Sequence, residues 1–333
     1  MTQTDFQHRY FANLSKRFGS KQTMIEAVAE QLHLSRDAIY RRVRGDSQLT
    51  ANELAELAGT YDQPMPDGQY HIPFRYNRSE VEIRRPEDYV AQLEAHLGQV
   101  EALTAPQLYI ANPGIPIFYE MLYPRLLALK LYVYGTTCWN FSAWRDLPFS
   151  DTLIDPHLLE RAYRIGAASL HIPGVELWSL GLLNTTLEQI EFLHVAGRYA
   201  EEGEALRLLD EVEEMVDHLN RMARAGRKYV PGGQPDSSSI SFRPVHNELA
   251  NNDNAILIKS AHRSSLFVVF LTPNFLQTED GPICEMTRQW FEGLAAVSGS
   301  LGSEANKYRE WFFSRLRSQI EDTRRRVRAE TFQ

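Results

Sequence analysis

The chain has 333 residues and a mass of 38.3 kDa, with 43% hydrophobic, 11% aromatic and 23% charged residues. That make-up excludes a disordered, collagen-like or purely coiled-coil chain, and at roughly 150 residues per domain the length predicts about two domains. Two cysteines, Cys138 and Cys284, exclude a disulfide framework or a four-thiolate zinc site. The first residues lack the apolar core of a signal peptide, so a cytoplasmic protein is expected. The longest clean apolar run, residues 266–271, is far short of the ~20 residues that span a bilayer, and no membrane partner is expected.

The formal net charge is −8, unfavourable for a protein that coats a polyanion such as duplex DNA. The average hides a division. Residues 1–61 hold eight Lys/Arg against seven Asp/Glu, a net +1, while the remainder holds 27 against 36, a net −9. Four arginines fall between positions 36 and 44, so one small basic face is carried by an acidic body.

In chain order, residues 4–18 place Phe6, Tyr10, Phe11, Leu14 and Phe18 at helical spacing, stopped at Gly19. A second helix is predicted over 23–31, with Thr23 as N-cap, Glu26 as its capping-box partner, and Ile25, Val28 and Ala29 inward. After the turn His33-Leu34-Ser35, Ser35 caps a third helix over 36–44. Its inward residues are Ile39 and Val43; Arg36, Asp37, Tyr40, Arg41 and Arg44 take the outer face, and Gly45 ends it. A fourth helix follows Thr50, with Glu53 three residues on and Leu54, Leu57 and Ala58 buried, and closes near Tyr61.

Residues 63–85, with Pro64, Pro66, Gly68 and Pro73, read as a linker in which Tyr70, Phe74 and Tyr76 can pack as a strap. Helices are predicted over 86–103, 156–169, 185–199, 203–225, 283–296 and 304–328, a strand over 108–110, and mainly helix over 116–140. Residues 240–245, 255–260 and 266–272 are rich in β-branched and aromatic residues with short turns between, which predicts an antiparallel meander. The whole is expected to be mainly α, α+β overall: a four-to-five-helix domain over 1–62, the linker over 63–85, and a larger helical domain with a small antiparallel sheet over 86–333.

Residues 28–43 carry the strongest functional signal. Two helices crossing steeply through a short turn need a small residue at the crossing and apolar residues to seat the second helix; Ala29, Leu34 and Ile39 meet that need. The second helix is then presented to the major groove. Residues 6–61 resemble the DNA-binding domain of phage-repressor (Cro-like) helix-turn-helix transcriptional regulators. The segments Tyr40-Arg41-Arg42-Val43-Arg44-Gly45, Ile172-Pro173-Gly174-Val175-Glu176-Leu177-Trp178 and Asn247-Glu248 are similar to those of a bacterial group of such regulators that carry a long C-terminal domain. The resemblance implies that Ser35, Arg36, Asp37, Tyr40 and Arg41 face DNA, with Arg36 and Arg41 reading bases and Arg44 on phosphate. The chain departs from the family at His33, where glycine is usual, and at Ile25, where a phosphate-binding glutamine is common; Lys21, Gln22 and Thr23 are the nearer phosphate candidates.

The common nucleotide-binding, nucleophile-elbow and zinc-protease motifs are missing, so no catalytic residue, metal or cofactor is assigned. Glu214 and His218 lie one helical turn apart but read as a solvated helix face. His246-Asn247-Glu248 with Asn251, Asn252, Asp253 and Asn254 reads as a hydrogen-bonded turn before a ligand site. The aromatic residues Tyr132, Tyr134, Trp139, Phe141, Trp144 and Phe149 read as core rather than pocket lining, and the run Arg324-Arg325-Arg326-Val327-Arg328 as solvated charge. A stripe of Tyr308, Phe312, Leu316 and Ile320 on the last helix suits a two-fold interface. The expected function is a DNA-binding transcription regulator, a homodimer on double-stranded DNA, whose C-terminal domain dimerises or senses a small-molecule effector. The alternatives are an enzyme or defence effector with an autoregulatory front module, and a protein-interaction scaffold.

Overall fold

The computed structural model describes residues 3–61, 72–76, 83–236, 239–248, 255–270 and 273–330. They form two compact units, Met1–Ile72 and Pro73–Gln333.

The first unit is a bundle of α1 (Gln3–Ser15), α2 (Lys21–Gln31), α3 (Arg36–Arg44) and α4 (Ala51–Tyr61). Its core joins Tyr10, Phe11 and Leu14 of α1 to Met24, Ile25 and Val28 of α2, Ile39 of α3 and Leu57 of α4, each at most 2% exposed. The helix ends follow local chemistry. The Ser20 side chain accepts from the Thr23 N–H at 3.1 Å, so α2 starts two residues before the predicted Thr23 cap. Gly45 takes a left-handed conformation, φ 82°, which costs glycine little; its N–H and that of Asp46 bond back to the Arg42 and Arg41 carbonyls and close α3. Thr50 and Glu53 exchange side-chain and backbone bonds at 2.8 and 3.2 Å, the predicted capping box of α4.

The second unit contains β1 (Arg75–Tyr76), α5 (Pro86–Glu101), β2 (Gln107–Ala111), α6 (Ile117–Glu120), α7 (Pro124–Thr137), α8 (Pro156–Ser169), β3 (Gly174–Trp178), α9 (Asn184–Val195) and α10 (Glu204–Ala225). These are followed by β4 (Arg227–Lys228), β5 (Ile240–His246), β6 (Ala255–Lys259), β7 (Ser264–Val269), β8 (Phe275–Thr278), α11 (Gly281–Val297), β9 (Gly299–Ser300) and α12 (Asn306–Glu330). The chain is thus mainly α with a sheet, an α+β protein, as predicted. The sheet itself differs from the small antiparallel one expected. Among the described residues it has nine strands in the order β1-β8-β7-β6-β2-β3-β5-β4, with β9 beside β5. The pairs β2–β3 and β3–β5 are parallel and the rest antiparallel.

The predicted meander is therefore interrupted: β6 and β7 form a hairpin, but β2 and β3 stand between β6 and β5. A parallel pair needs a long crossover, and α9 with α10 supply one between β3 and β5. Residues 63–85, read as linker, include β1, which pairs with β8 at the sheet edge; there Tyr76 packs edge-on against Phe270. Tyr70 lies outside the described residues.

Side chains alternate between two cores. Val175, Leu177 and Val245 join Phe291 and Ala295 of α11 on one face, while Trp178 and Phe242 join α5 to α10 and α12 on the other. Three of the four residues of the stripe expected to pair subunits belong to this second core: Phe312, Leu316 and Ile320 are at most 1% exposed, while Tyr308 is 39% exposed. The arginine run is likewise not plain solvated charge. Arg324 binds Asp210 and Glu213, and Arg326 binds Glu191, riveting α12 to α10 and α9. The aromatic cluster is core, as predicted: Tyr132 and Phe149 are buried and Trp139, Phe141 and Trp144 pack ring to ring beside them. No helix among the described residues is long and apolar enough to cross a membrane.

Candidate nucleic-acid interface

The site begins with the turn between α2 and α3. The Leu32 and Leu34 N–H groups bond to the Val28 and Ala29 carbonyls at 3.0 Å, and the crossing alanine, Ala29, is 8% exposed. His33, where the resembled regulators usually carry glycine, adopts φ 53°, a left-handed conformation held at the steric cost a Cβ brings there. Ser35 then caps α3 by accepting from the Ala38 N–H at 3.3 Å. Ile39, with no exposure, is the residue that seats α3 on the core.

With Ile39 inward, the opposite side of α3 faces solvent. Ser35, Arg36, Asp37, Tyr40, Arg41 and Arg44 are all exposed, as are Lys21, Gln22 and Thr23 at the start of α2. The outer arginines are not electrostatically alike. Arg36 pairs with Glu26 at 3.1 Å and Arg44 with Asp46 at 2.8 Å, pairs open to water and worth at most about 1 kcal/mol, so a phosphate can displace either acid. Ile25 is buried in the core and carries no ligand-facing role, which leaves the α2 start to Lys21, Gln22 and Thr23.

Two residues that sequence reasoning left out hold α3 in place. The Gln7 side chain donates to the Arg42 carbonyl at 2.6 Å and the Ser47 carbonyl at 2.8 Å and accepts from the Leu49 N–H at 2.8 Å. It thereby clamps α1 to the C-terminal end of α3. Arg42 points away from the outer face; its Nη2 and Nε donate to Glu53 at 2.7 and 3.3 Å.

The second unit offers less. The C-terminal ends of β3 and β5 bring His246 between Glu248, at 2.9 Å from Nε2, and the Tyr308 hydroxyl, at 2.7 Å from Nδ1. Asn247 donates to Ser298 at 3.0 Å. These groups satisfy one another, as a hydrogen-bonded turn does; residues 251–254 lie outside the described residues. His218 is not on a solvated face as predicted. It is 1% exposed, with Nε2 at 2.7 Å from the Tyr229 carbonyl, while Glu214 is exposed. Among the described residues no three His, Cys, Asp or Glu side chains gather as metal ligands.

A cleft of about 400 Å³ is lined by Arg125, Asp151, Thr152, Ile154, Leu159 and Glu211, among others. Glu211 accepts from the N–H groups of Arg125 and Leu126 at 3.0 and 3.1 Å, and the Arg125 guanidinium pairs with Asp151 at 3.2 Å. Burial raises the Glu211 carboxyl above its ordinary range against the pull of those N–H groups and Arg125.

Comparison with protein-family models, curated proteins and solved structures finds no match to the chain.

Proposed function

We propose that the chain is a sequence-specific DNA-binding transcription regulator whose first unit docks α3 in the major groove. The second unit serves dimerisation, effector sensing or both. The observation that carries the reading is the outer face of α3: Arg36, Tyr40 and Arg41 stand exposed on a helix that Ile39, Gln7 and Arg42 fix from behind. A bundle with no partner needs a solvated face, but it needs neither a left-handed non-glycine residue in the turn nor a polar clamp on the far end of the same helix.

Arg36 and Arg41 have the reach and the paired N–H donors for guanine edges. Arg44 and Lys21, with the N–H groups at the start of α2, suit phosphate oxygens on either side. Selection of binding sites from a random duplex library by the full chain, followed by titration against salt, tests the proposal. A recurring half-site is expected, with affinity falling roughly a thousandfold between 50 and 200 mM salt if two copies neutralise about six phosphates. Failure to enrich any sequence, with salt-independent binding, would refute it.

A further inference from the structure

Helix α11 carries apolar residues on two opposite sides. Cys284, Phe291 and Ala295 are buried against the sheet. Met286, Trp290 and Val297 point outward, with Met286 59% and Val297 78% exposed. Together with Gly293 they lie four, three and four residues apart, the spacing of one straight stripe along a helix. The solvent side of a helix packed on a globular body is ordinarily its charged side. Here the charged residues of the helix's central turns are drawn to one flank, where Arg288 binds Glu285 at 2.8 and 2.6 Å and Glu292 at 2.5 Å. The shoulders of the stripe, Thr287 and Leu294 on one side and Gln289 and Ala296 on the other, are uncharged.

The stripe is also complementary to itself. When two such helices run antiparallel about a two-fold axis centred between positions 291 and 292, each Trp290 meets the Gly293 of the second copy, and each Met286 meets a Val297. The largest side chain thus falls on the smallest. A Cβ built on Gly293 would meet nothing within 4 Å, so the helix surface is bare where the indole would lie.

We propose that α11 is the self-association face of this protein and that a second copy of the chain, paired antiparallel through Met286, Trp290, Gly293 and Val297, covers it. Charge supports a copy as the occupant. Residues outside 1–61 carry a net −9, so two copies repel overall, and an uncharged strip lets them meet at low Coulomb cost. The size fits as well. A helix of 17 residues is about 25 Å long and covers on the order of 400 Å² per copy, about 800 Å² in all, the extent of a transient dimer.

The pairing rests on the regulator reading for its purpose, the joining of two half-sites, and on the geometry of α11 for its place. Sedimentation velocity of the full chain between about 1 and 100 μM tests it, comparing the parent with Gly293→Gln and with a Met286→Lys, Val297→Lys double variant. The parent should pass from monomer to dimer across this range. Gly293→Gln, at an open helical position that tolerates the side chain, should weaken pairing at least tenfold with an unchanged circular dichroism spectrum and, at a concentration where the parent is monomeric, a melting temperature no lower than the parent's. The double variant should remain monomeric. A parent that stays monomeric throughout, or variants that pair as tightly as the parent, would overturn the proposal. Gel shifts on a single half-site, run in parallel, read the DNA-binding proposal separately: Gly293→Gln should bind one half-site like the parent whether or not the copies pair.

Discussion

Arg42 of α3 is held at two points by Glu53 of α4, at 2.7 and 3.3 Å, whereas its neighbour Arg41 faces solvent. Adjacent arginines on one helix, about 100° apart around its axis, thus meet different surroundings, one packed against α4 and one open to solvent. Substitution should separate the two roles. Arg41→Ala is expected to leave the stability of the first unit within about 0.5 kcal/mol of the parent and to relax sequence preference at ~1 to 3 kcal/mol. Arg36→Ala should act in the same way, and Arg44→Ala should weaken all sequences alike. Arg42→Ala should cost about 2 kcal/mol of local stability by leaving the mostly buried Glu53 without its charge partner. Hydrogen exchange of residues 3–61 in the full chain reads the stability, and a binding-site selection reads the preference. Equal protection in both variants would remove Arg42 from its structural role.

The same carboxylate makes the first unit sensitive to acid. Burial alone would raise the Glu53 pKa, but the Thr50 N–H and hydroxyl and the Arg42 guanidinium outweigh it, and the net value lies below the ordinary range. An acid whose pKa is lowered by folding contributes stability that is full above its unfolded pKa, about 4.3, and is lost as pH falls through the folded value. Exchange protection in α3 and α4 is therefore expected to hold above the unfolded value of about 4.3 and to be lost as the pH falls below it, with Glu53→Gln removing that part of the acid dependence. A pH profile identical in parent and variant would contradict this.

His218 titrates in the opposite chemical sense with a similar outcome. Burial depresses its pKa to about 4, against the opposing pull of the Tyr229 carbonyl. The neutral ring donates from Nε2 to that carbonyl at 2.7 Å. An unfolded histidine takes up its proton near pH 6.5, so stability from this residue is complete above that pH, declines as pH falls towards 4, and is flat below. The loss across the window amounts to ~3 kcal/mol. Melting temperatures of the second unit measured from pH 7 to 4 should fall accordingly, and His218→Met should start lower yet show a flatter profile. An unchanged slope in the variant would assign the acid sensitivity to other groups.

Glu176 lies in the middle of β3 with no solvent exposure, facing Lys228 at 3.0 Å, the Tyr119 hydroxyl at 2.7 Å and the Trp178 Nε1 at 3.3 Å. Removing one member of a buried pair strands the other charge, at about 3 to 5 kcal/mol. Glu176→Gln and Lys228→Met are each expected to destabilise by that order. The double variant should be less destabilised than the sum, by more than about 1 kcal/mol, because no charge remains unpaired. Denaturant titration of the second unit followed by its tryptophan fluorescence measures this cycle, and additivity would show that the two charges act independently.

The helices were legible wherever a stop or a cap is written locally. Gly45, the Thr50–Glu53 box and the prolines at 86, 124 and 156 mark ends that the fold keeps. The outer face of α3 was legible for the same reason: the 3.6-residue period, together with Ile39 and Val43, dictates which residues look out. Strand β3 was not. All five of its residues are buried, so it lacks the alternation that marks a strand with one wet face, and a glutamate at its centre reads as surface until Lys228 is brought to it. The order of the sheet was hidden by a related cause, since neighbours in sequence such as β5 and β6 are parted by strands from far upstream. Gln7 escaped notice because its three bonds reach 35 to 42 residues along the chain, beyond any local pattern.

Strand β1, at Arg75–Tyr76, finds its partner only at Leu276–Gln277, and the parallel centre likewise joins Leu108 to Gly174 and Trp178 to His246. The four-helix unit, by contrast, closes on contacts made within its own 61 residues. At a synthesis rate of about 5 to 20 residues per second, some 200 residues separate β1 from β8, a wait of roughly 10 to 40 s. Each nascent chain therefore carries a finished four-helix unit, the exposed side of α3 included, while the rest is still being threaded off the ribosome with an open sheet edge, and translation that stalls before residue 276 would leave a head whose body cannot close.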